Sequence, residues 1–310
     1  MHLIVPFAAP GSDAGRAAAR SLQLPNLARL LGQLDPQARD EGDEWSLSPP
    51  HERALARALG LAGADGAIPW AARQARADGV DVGDLAWGLV SPVHWHLGTE
   101  QVSLVDPATL MLDETTSRDL LDAVRELFVG DGFVLAWGAA DRWYAAHESL
   151  ADLPTASLDR VVGRNVDGWL GSNPAARRLR RLQAEVQMLL HAHPLNAARE
   201  ARGLLPVNSF WVSGCGVAQP EQAEEGLVLD DRLRAPALAE DGAAWLKAWE
   251  TLDASAIAAC AAALDQGQAV RLTLCGERAG ASFAAQRAST WRRLRTRWQA
   301  PAWPALLESL

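Results

Sequence analysis

The stretch HPLNAAREARGLLPVNSFWVSGCG, residues 193–216, runs from a polar helix end through a Pro-bounded turn into an apolar strand and a glycine pair. His193, Asn196 and Arg199 recur at spacings of three, which stacks them on one side of a helix. Asn208 and Trp211 fall on the following strand, with Gly214 and Gly216 at its exit. Asn, Arg and His side chains beside a Gly-rich turn with free backbone N–H groups suit a small anionic ligand, a phosphate or a carboxylate. The same residues suit a helix end capped by Asn side chains, with the glycines serving only the turn. The residues alone leave both readings open.

Outward from this stretch, strands and helices alternate in the manner of an α/β fold. Leu3 to Ala8 reads as a buried first strand, and Pro25-Asn26 opens a helix reaching Leu34. A loop rich in Asp and Glu runs to Pro50, and helices follow over 51–61 and 68–78. From Leu85 the texture turns to strands with short turns, then Asp113 caps a helix over 118–128, and 133–137 with 142–147 reads as a hairpin. Pro174 to Arg202 reads as the longest helix, its LQAEVQMLL giving an apolar stripe. Strands near Ser209, Val228 and Val270, with helices over 243–251, 254–264 and 284–298, return to the first texture. A chain of 310 residues exceeds the usual size of one core. The expected organisation is a discontinuous main domain, 1–85 and 201–310, carrying a smaller α+β insertion at 86–200.

Composition narrows the function classes. Net charge is −9, and Lys247 is the sole lysine among 29 basic residues. An acidic surface opposes loose attraction to nucleic acid or anionic membrane. Cys215, Cys260 and Cys275 lie far apart, odd in number and without CxxC spacing, so they read as reduced thiols of a cytoplasmic protein. No charged-then-apolar leader and no run of about 18 apolar residues is visible, so the expectation is a soluble protein. Thirteen tryptophans against one tyrosine place bulky rings in apolar runs, as core or pocket wall.

The opening stretch resembles the "HPxN…R…G…PANxxWxWGxG" segment of the archaeal-type, cofactor-independent phosphoglycerate mutases of the alkaline-phosphatase superfamily. LQLPNLARLLGQL is similar to their "TPNLDxLAxxG" helix start, Asp141-Arg142-Trp143 stands at their Tyr-Arg position, and LDRVVGRNVDGWL resembles their "HDxxGK" segment. Over nearly its full length, through SPPHERALARALG, SPVHW, LQAEVQMLLHAHPLN and NSFWVSGCG, the chain also resembles the bacterial family called regulatory protein RpfE. The resemblance implies an alkaline-phosphatase-like central, mostly parallel sheet flanked by helices, with an inserted substrate-cleft domain. It also implies a two-metal centre, whose Asp-Gly on the first strand and late Asp-His and His ligands have no counterpart here. Pro6-Phe7 stands at the first position, AVRLTLCGERAG ends without histidine, and all seven histidines lie at or before 193. No cofactor and no metal are therefore expected. Ser12, Asp13, Asp65 and Glu277 read as turn, cap or surface residues.

Other constellations follow from the same comparison. His94 and His96 flank Trp95, and strand alternation puts both rings on one face. SPVHW falls on a cleft-lining strand of the relatives, which makes His94 a pocket residue. Arg142 stands at a cleft arginine, able to grip a phosphate or carboxylate, or else to form an ordinary salt bridge. The candidate ligand set is thus His94, Arg142, His193, Asn196, Arg199, Asn208 and Trp211. Arg177, Arg178, Arg180 and Arg181 form one basic cluster, and Arg287, Arg292, Arg293, Arg295 and Arg297 a second, interleaved with Trp291 and Trp298. Each reads as a solvated face or a protein-partner surface. Trp303 and Leu306 of the terminal APAWPALLESL read as a segment that docks on this chain or on a second subunit. Three functions stay open: a degenerate mutase-like regulator or ligand sensor, an active mutase or phosphohydrolase, and a nucleic-acid or protein-partner module.

Overall fold

A computed structural model describes residues 1–11, 15–16, 19–99, 101–285 and 303–310. Ser12, Asp13, the second Arg/Trp cluster and nearly all of the helix expected over 284–298 lie outside the described residues. The strands in chain order are β1 (His2–Val5), β2 (Asp35–Glu41), β3 (Ala86–Leu97), β4 (Val102–Val105), β5 (Val134–Ala139), β6 (Arg142–Ala146), β7 (Ser209–Val217), β8 (Leu227–Leu229), β9 (Arg271–Cys275) and β10 (Ala279–Ala284). They form two sheets in a mixed α/β fold, one in each of two compact units, 1–60 with 221–310 and 61–220.

The first unit holds a sheet of order β2-β10-β9-β1-β8. β1 lies parallel to β8 and β9, while β10 and β2 add an antiparallel edge, so the sheet is parallel only in its β8-β1-β9 part. Every residue of β1 is buried, the pattern of a strand covered on both faces. Ile4 packs with Ala54, Ala58 and Cys275 of one cluster, while Leu3 and Val5 join Leu27, Leu30, Trp249 and Leu272 in the other. β2 reads as a loop in sequence because it is an edge, and its DPQARDE is the charged, Pro-bearing composition that blunts edge pairing. Of the terminal segment, Leu306, Leu307 and Leu310 are buried in this unit's own core.

The second unit is antiparallel: β6 pairs with β5 and β3, β7 also pairs with β3, and β4 pairs with its last four residues. The helices Glu114–Gly130 and Pro174–His191 contribute Leu120, Val124, Phe128, Leu182 and Val186 to a core with Val90, Trp143, Phe210 and Val212. As expected, Asp113 caps the first of these helices, accepting a bond from the amide of Thr116. A third helix, Trp70–Ala77, places Ala71, Ala72 and Ala75 against Trp87, Tyr144 and Ala146.

Gly214 and Gly216 lie within β7, where they admit that third helix. A Cβ on Gly214, whose φ is +62°, would come 2.8 Å from the Cβ of Trp70, and one on Gly216 would come 2.9 Å from that of Pro69. The pairing register between β3 and β7 shifts beside them, as a bulge with a left-handed glycine requires. This packing is also why the units part at 60/61 and 220/221, where the sequence suggested 85/86 and 200/201: helix 70–77 and β7 both build on β3. The helix expected over 174–202 ends at His191, because Pro194 offers no N–H and holds His193 extended at ψ 134°. A second helix, Pro194–Ala201, then begins.

Candidate functional site

Most of the candidate side chains gather around Leu204–Asn208, a segment in which Pro206 cannot donate and no ladder runs until Ser209. Its backbone groups need other partners. Arg199 donates from Nε to the carbonyl of Leu205 (2.9 Å) and from Nη2 to that of Leu110 (2.5 Å). His94 bonds the carbonyl of Pro206 through Nδ1 (2.9 Å). Asn196 donates from Nδ2 to the carbonyls of Val207 (2.7 Å) and Leu190 (2.9 Å), and its Oδ1 accepts from Val207 N (2.9 Å). Asn208 accepts from Trp95 N (2.7 Å) and donates to Trp95 O (2.9 Å). The result is a clasp joining helix 194–201, the turn and β3.

Asn196 and Arg199 are 4% and 2% exposed, so their polar atoms serve this clasp rather than an open surface. Burial lowers the pKa of Arg199, offset in part by the charge of Asp113. His193 caps helix 194–201, its Nδ1 accepting from Leu195 N at 3.4 Å. His94 and His96 do share a face, with ring centroids 6.4 Å apart.

Arg142 sits apart from the clasp. Its Nε and Nη2 reach the two carboxylate oxygens of Asp78 at 3.1 and 3.2 Å, and Tyr144 donates its hydroxyl to the same carboxylate at 2.5 Å. Burial works against the Asp78 charge, but the bonds from Arg142 and Tyr144 outweigh it and hold the carboxyl below its ordinary pKa. Burial, then the bond to Asp78, pushes the Tyr144 phenol upward. Sequence reasoning found Arg142 but neither partner, since Asp78 lies 64 residues away.

Trp211 lines a small recess in the second unit. Leu153, Leu170, Leu179 and Val212 give it apolar walls, and Trp169 adds a second indole. Trp211 Nε1 donates to Ala156 O at 2.9 Å, which fixes the ring. Gln183 is 5% exposed, and its Nε2 donates to Phe210 O at 3.0 Å. Arg180 lines the same recess and forms no ion pair among the described residues. The basic cluster of the sequence is thereby divided: Arg178 meets His147, Arg181 meets Asp131 and Glu185, and Arg180 faces the recess. Arg180 was marked in the sequence only as part of a basic cluster, and Trp169 and Gln183 were not singled out within their segments.

The described residues do not fit a two-metal centre. Among the described residues no group of three or more His, Cys, Asp or Glu is placed to hold a metal ion. β1 is followed by Pro6 and Phe7, and β9 ends at Cys275, a buried thiol that desolvation pushes up to about 12. Phe7 has φ +54°, lies tilted against the His51 ring with centroids 5.3 Å apart, and accepts a bond at its carbonyl from Trp245 Nε1 (3.0 Å). A left-handed backbone on a bulky residue is an outlier that glycine would adopt freely. No helix among the described residues is long and apolar enough to cross a membrane.

No protein-family model and no curated protein matches the chain. Among solved structures it is similar to the cofactor-independent phosphoglycerate mutase from Thermoplasma acidophilum, at 15% identity and TM-score 0.37, covering 93% of this chain and 90% of that one. It is also similar to the PH0037 protein from Pyrococcus horikoshii, at 14% identity and TM-score 0.44, covering 97% and 92%.

Proposed function

We propose that the chain is a degenerate phosphoglycerate-mutase-like protein, one that keeps a cleft for a small anionic ligand without a working two-metal site and acts as a regulator or ligand sensor in the cytoplasm. The observation that carries this reading is the end of β1. Pro6 stands where the resemblance puts a metal-binding acid, and Phe7 holds at φ +54° the conformation suited to the glycine that would follow it. A carboxylate cannot be supplied from either side chain, while the backbone corner remains.

Under this reading Trp211 contacts the ligand. His94, His193, Asn196, Arg199 and Asn208 fix β7 and its approach, and Arg142 orders the sheet beside it through Asp78. The ligand bears a phosphate or carboxylate, the downstream partner is a protein, and nucleic acid and membrane take no part.

The test is metal analysis by mass spectrometry on full-length protein purified without chelator, with a coupled mutase assay in added Mn²⁺. The expected result is no stoichiometric Mn, Zn or Mg, no turnover, and a melting temperature raised by phosphate or 3-phosphoglycerate. Turnover that disappears in His193→Ala would overturn the reading in favour of an active enzyme.

A further inference from the structure

We infer that His2 is a proton-operated latch on residues 221–229: neutral, its ring holds this segment and the edge strand β8 against β1, and a proton on the ring loosens them. The latch lies within the first unit and is independent of the anion cleft. The bonds of the ring have a fixed polarity. His2 is 5% exposed, with Nδ1 2.8 Å from a carboxylate oxygen of Glu224 and Nε2 2.9 Å from the hydroxyl of Thr273. A carboxylate only accepts, so Nδ1 carries the hydrogen of the neutral ring and Nε2 accepts from Thr273. The Thr273 oxygen accepts in turn from the Ser282 hydroxyl at 3.0 Å. Both nitrogens of the neutral ring are thus paired.

Charge decides what a proton does there. Arg271 already matches Glu224, its Nη1 lying 2.8 Å from the second carboxylate oxygen. The amino group of Met1 adds a further positive charge. The helix Pro50–Leu59, packed on the same face, brings Ala54 and Ala58 to Ile4 of β1, while its Arg53 and Arg57 pair with Asp40 of β2. A proton on His2 therefore adds a buried positive charge whose facing carboxylate is shared. Burial outweighs the pull of Glu224, so the ring protonates less readily than an ordinary histidine. Thr273 and Ser282 can turn their hydroxyls to receive the new N–H, which makes the cost one of charge and not of a lost bond.

The segment facing the ring is the part of the sheet best able to yield. β8 is three residues long, stands at the edge and leaves Val228 and Leu229 exposed. Residues 221–226 lie outside any helix or strand and are tied by bonds from His2 N to Gly226 O, Glu224 N to Ala58 O and Gln222 N to Leu59 O. β1 keeps its ladder to β9 when they leave. With 221–229 displaced, water reaches the ring and its pKa returns to about 6.5. The closed form is at full strength above that value and weakens as pH falls from it toward the lower closed-state value, opening rising by at most about tenfold per pH unit.

The experiment is hydrogen–deuterium exchange of the full chain at about pH 7.5 and about pH 5.5, read by mass spectrometry and corrected for the pH dependence of chemical exchange. In the parent, peptides covering 221–229 lose protection by up to about tenfold on acidification, while those covering β9 do not. His2→Gln, which keeps an N–H for Glu224 but takes up no proton, shows no such loss. Arg271→Gln shrinks the loss, since Glu224 then serves His2 alone. An NMR titration of the parent's His2 ring gives a midpoint below about 6.5 that tracks the loss of protection. Protection that does not change with pH, an equal loss in His2→Gln, or a ring midpoint at or above about 6.5 overturns the inference. Should His2→Gln fail to fold, the parent's exchange and ring midpoint still decide.

Discussion

Replacing Asn196 with alanine removes the side chain that holds Val207 at both its N–H and its carbonyl. The Leu190 carbonyl keeps its bond from His193 N at 3.2 Å, so the loss falls on Val207, a residue with no exposed surface. An orphaned buried N–H costs about 1–3 kcal/mol, and the lost bond at the carbonyl adds about 0.5–1.5 kcal/mol. The sum is about 1.5–4.5 kcal/mol, a large share of an ordinary stability of about 5–15 kcal/mol. With a urea slope of about 3 kcal/mol/M, the unfolding midpoint of the second unit falls by about 1 M. Asn196→Asp is at least as harmful, since a carboxylate has no N–H to give the carbonyls of Val207 and Leu190. Urea unfolding followed by circular dichroism and tryptophan fluorescence measures both variants. An Asn196→Ala protein that unfolds within about 0.3 M of the parent, yet loses its response to phosphate, would refute the clasp and make Asn196 a ligand contact.

Two further outcomes test the fold and its charges. Gly214→Ala adds a Cβ 2.8 Å from that of Trp70 at a left-handed φ and costs about 2–4 kcal/mol by thermal unfolding. Gly163→Ala, at φ +77° with open space around it, costs only about 1 kcal/mol. For Asp78 the folded pKa lies below the unfolded one, so its contribution is present above the unfolded value of about 4 and is lost as pH falls through the folded value. Asp78→Asn is accordingly less stable than the parent at neutral pH, and melting curves taken from about pH 7 down to about pH 3 should show the gap closing. A gap that stays constant over that range would remove the Arg142 ion pair from the account.

The sequence was most legible where one residue type has one local use. Asp113 announced its helix, and the buried run at Leu3 announced a central strand. It was least legible where packing decided between uses. The charged β2 looked like a loop because an edge strand avoids apolar residues. Gly214 and Gly216 suggested an anion cradle, although their space is filled by helix 70–77, which lies some 140 residues earlier in the chain. His193, Asn196 and Arg199 were picked out together for their spacing, and three-residue spacing is shared by ligand sites and backbone caps. Trp211 was singled out, but the grouping of Trp169, Arg180 and Gln183 around it depends on contacts that no local pattern encodes.

The clasp at Leu204–Asn208 has a dynamic consequence. Val207 and Asn208 hang from side chains and backbone on both flanks, so the strand that follows begins from an anchored point and carries its tryptophan in a fixed orientation. On the function proposed above, a guest arriving there meets a wall already in position. It gives up its own freedom to dock, but the host has little disorder left to lose.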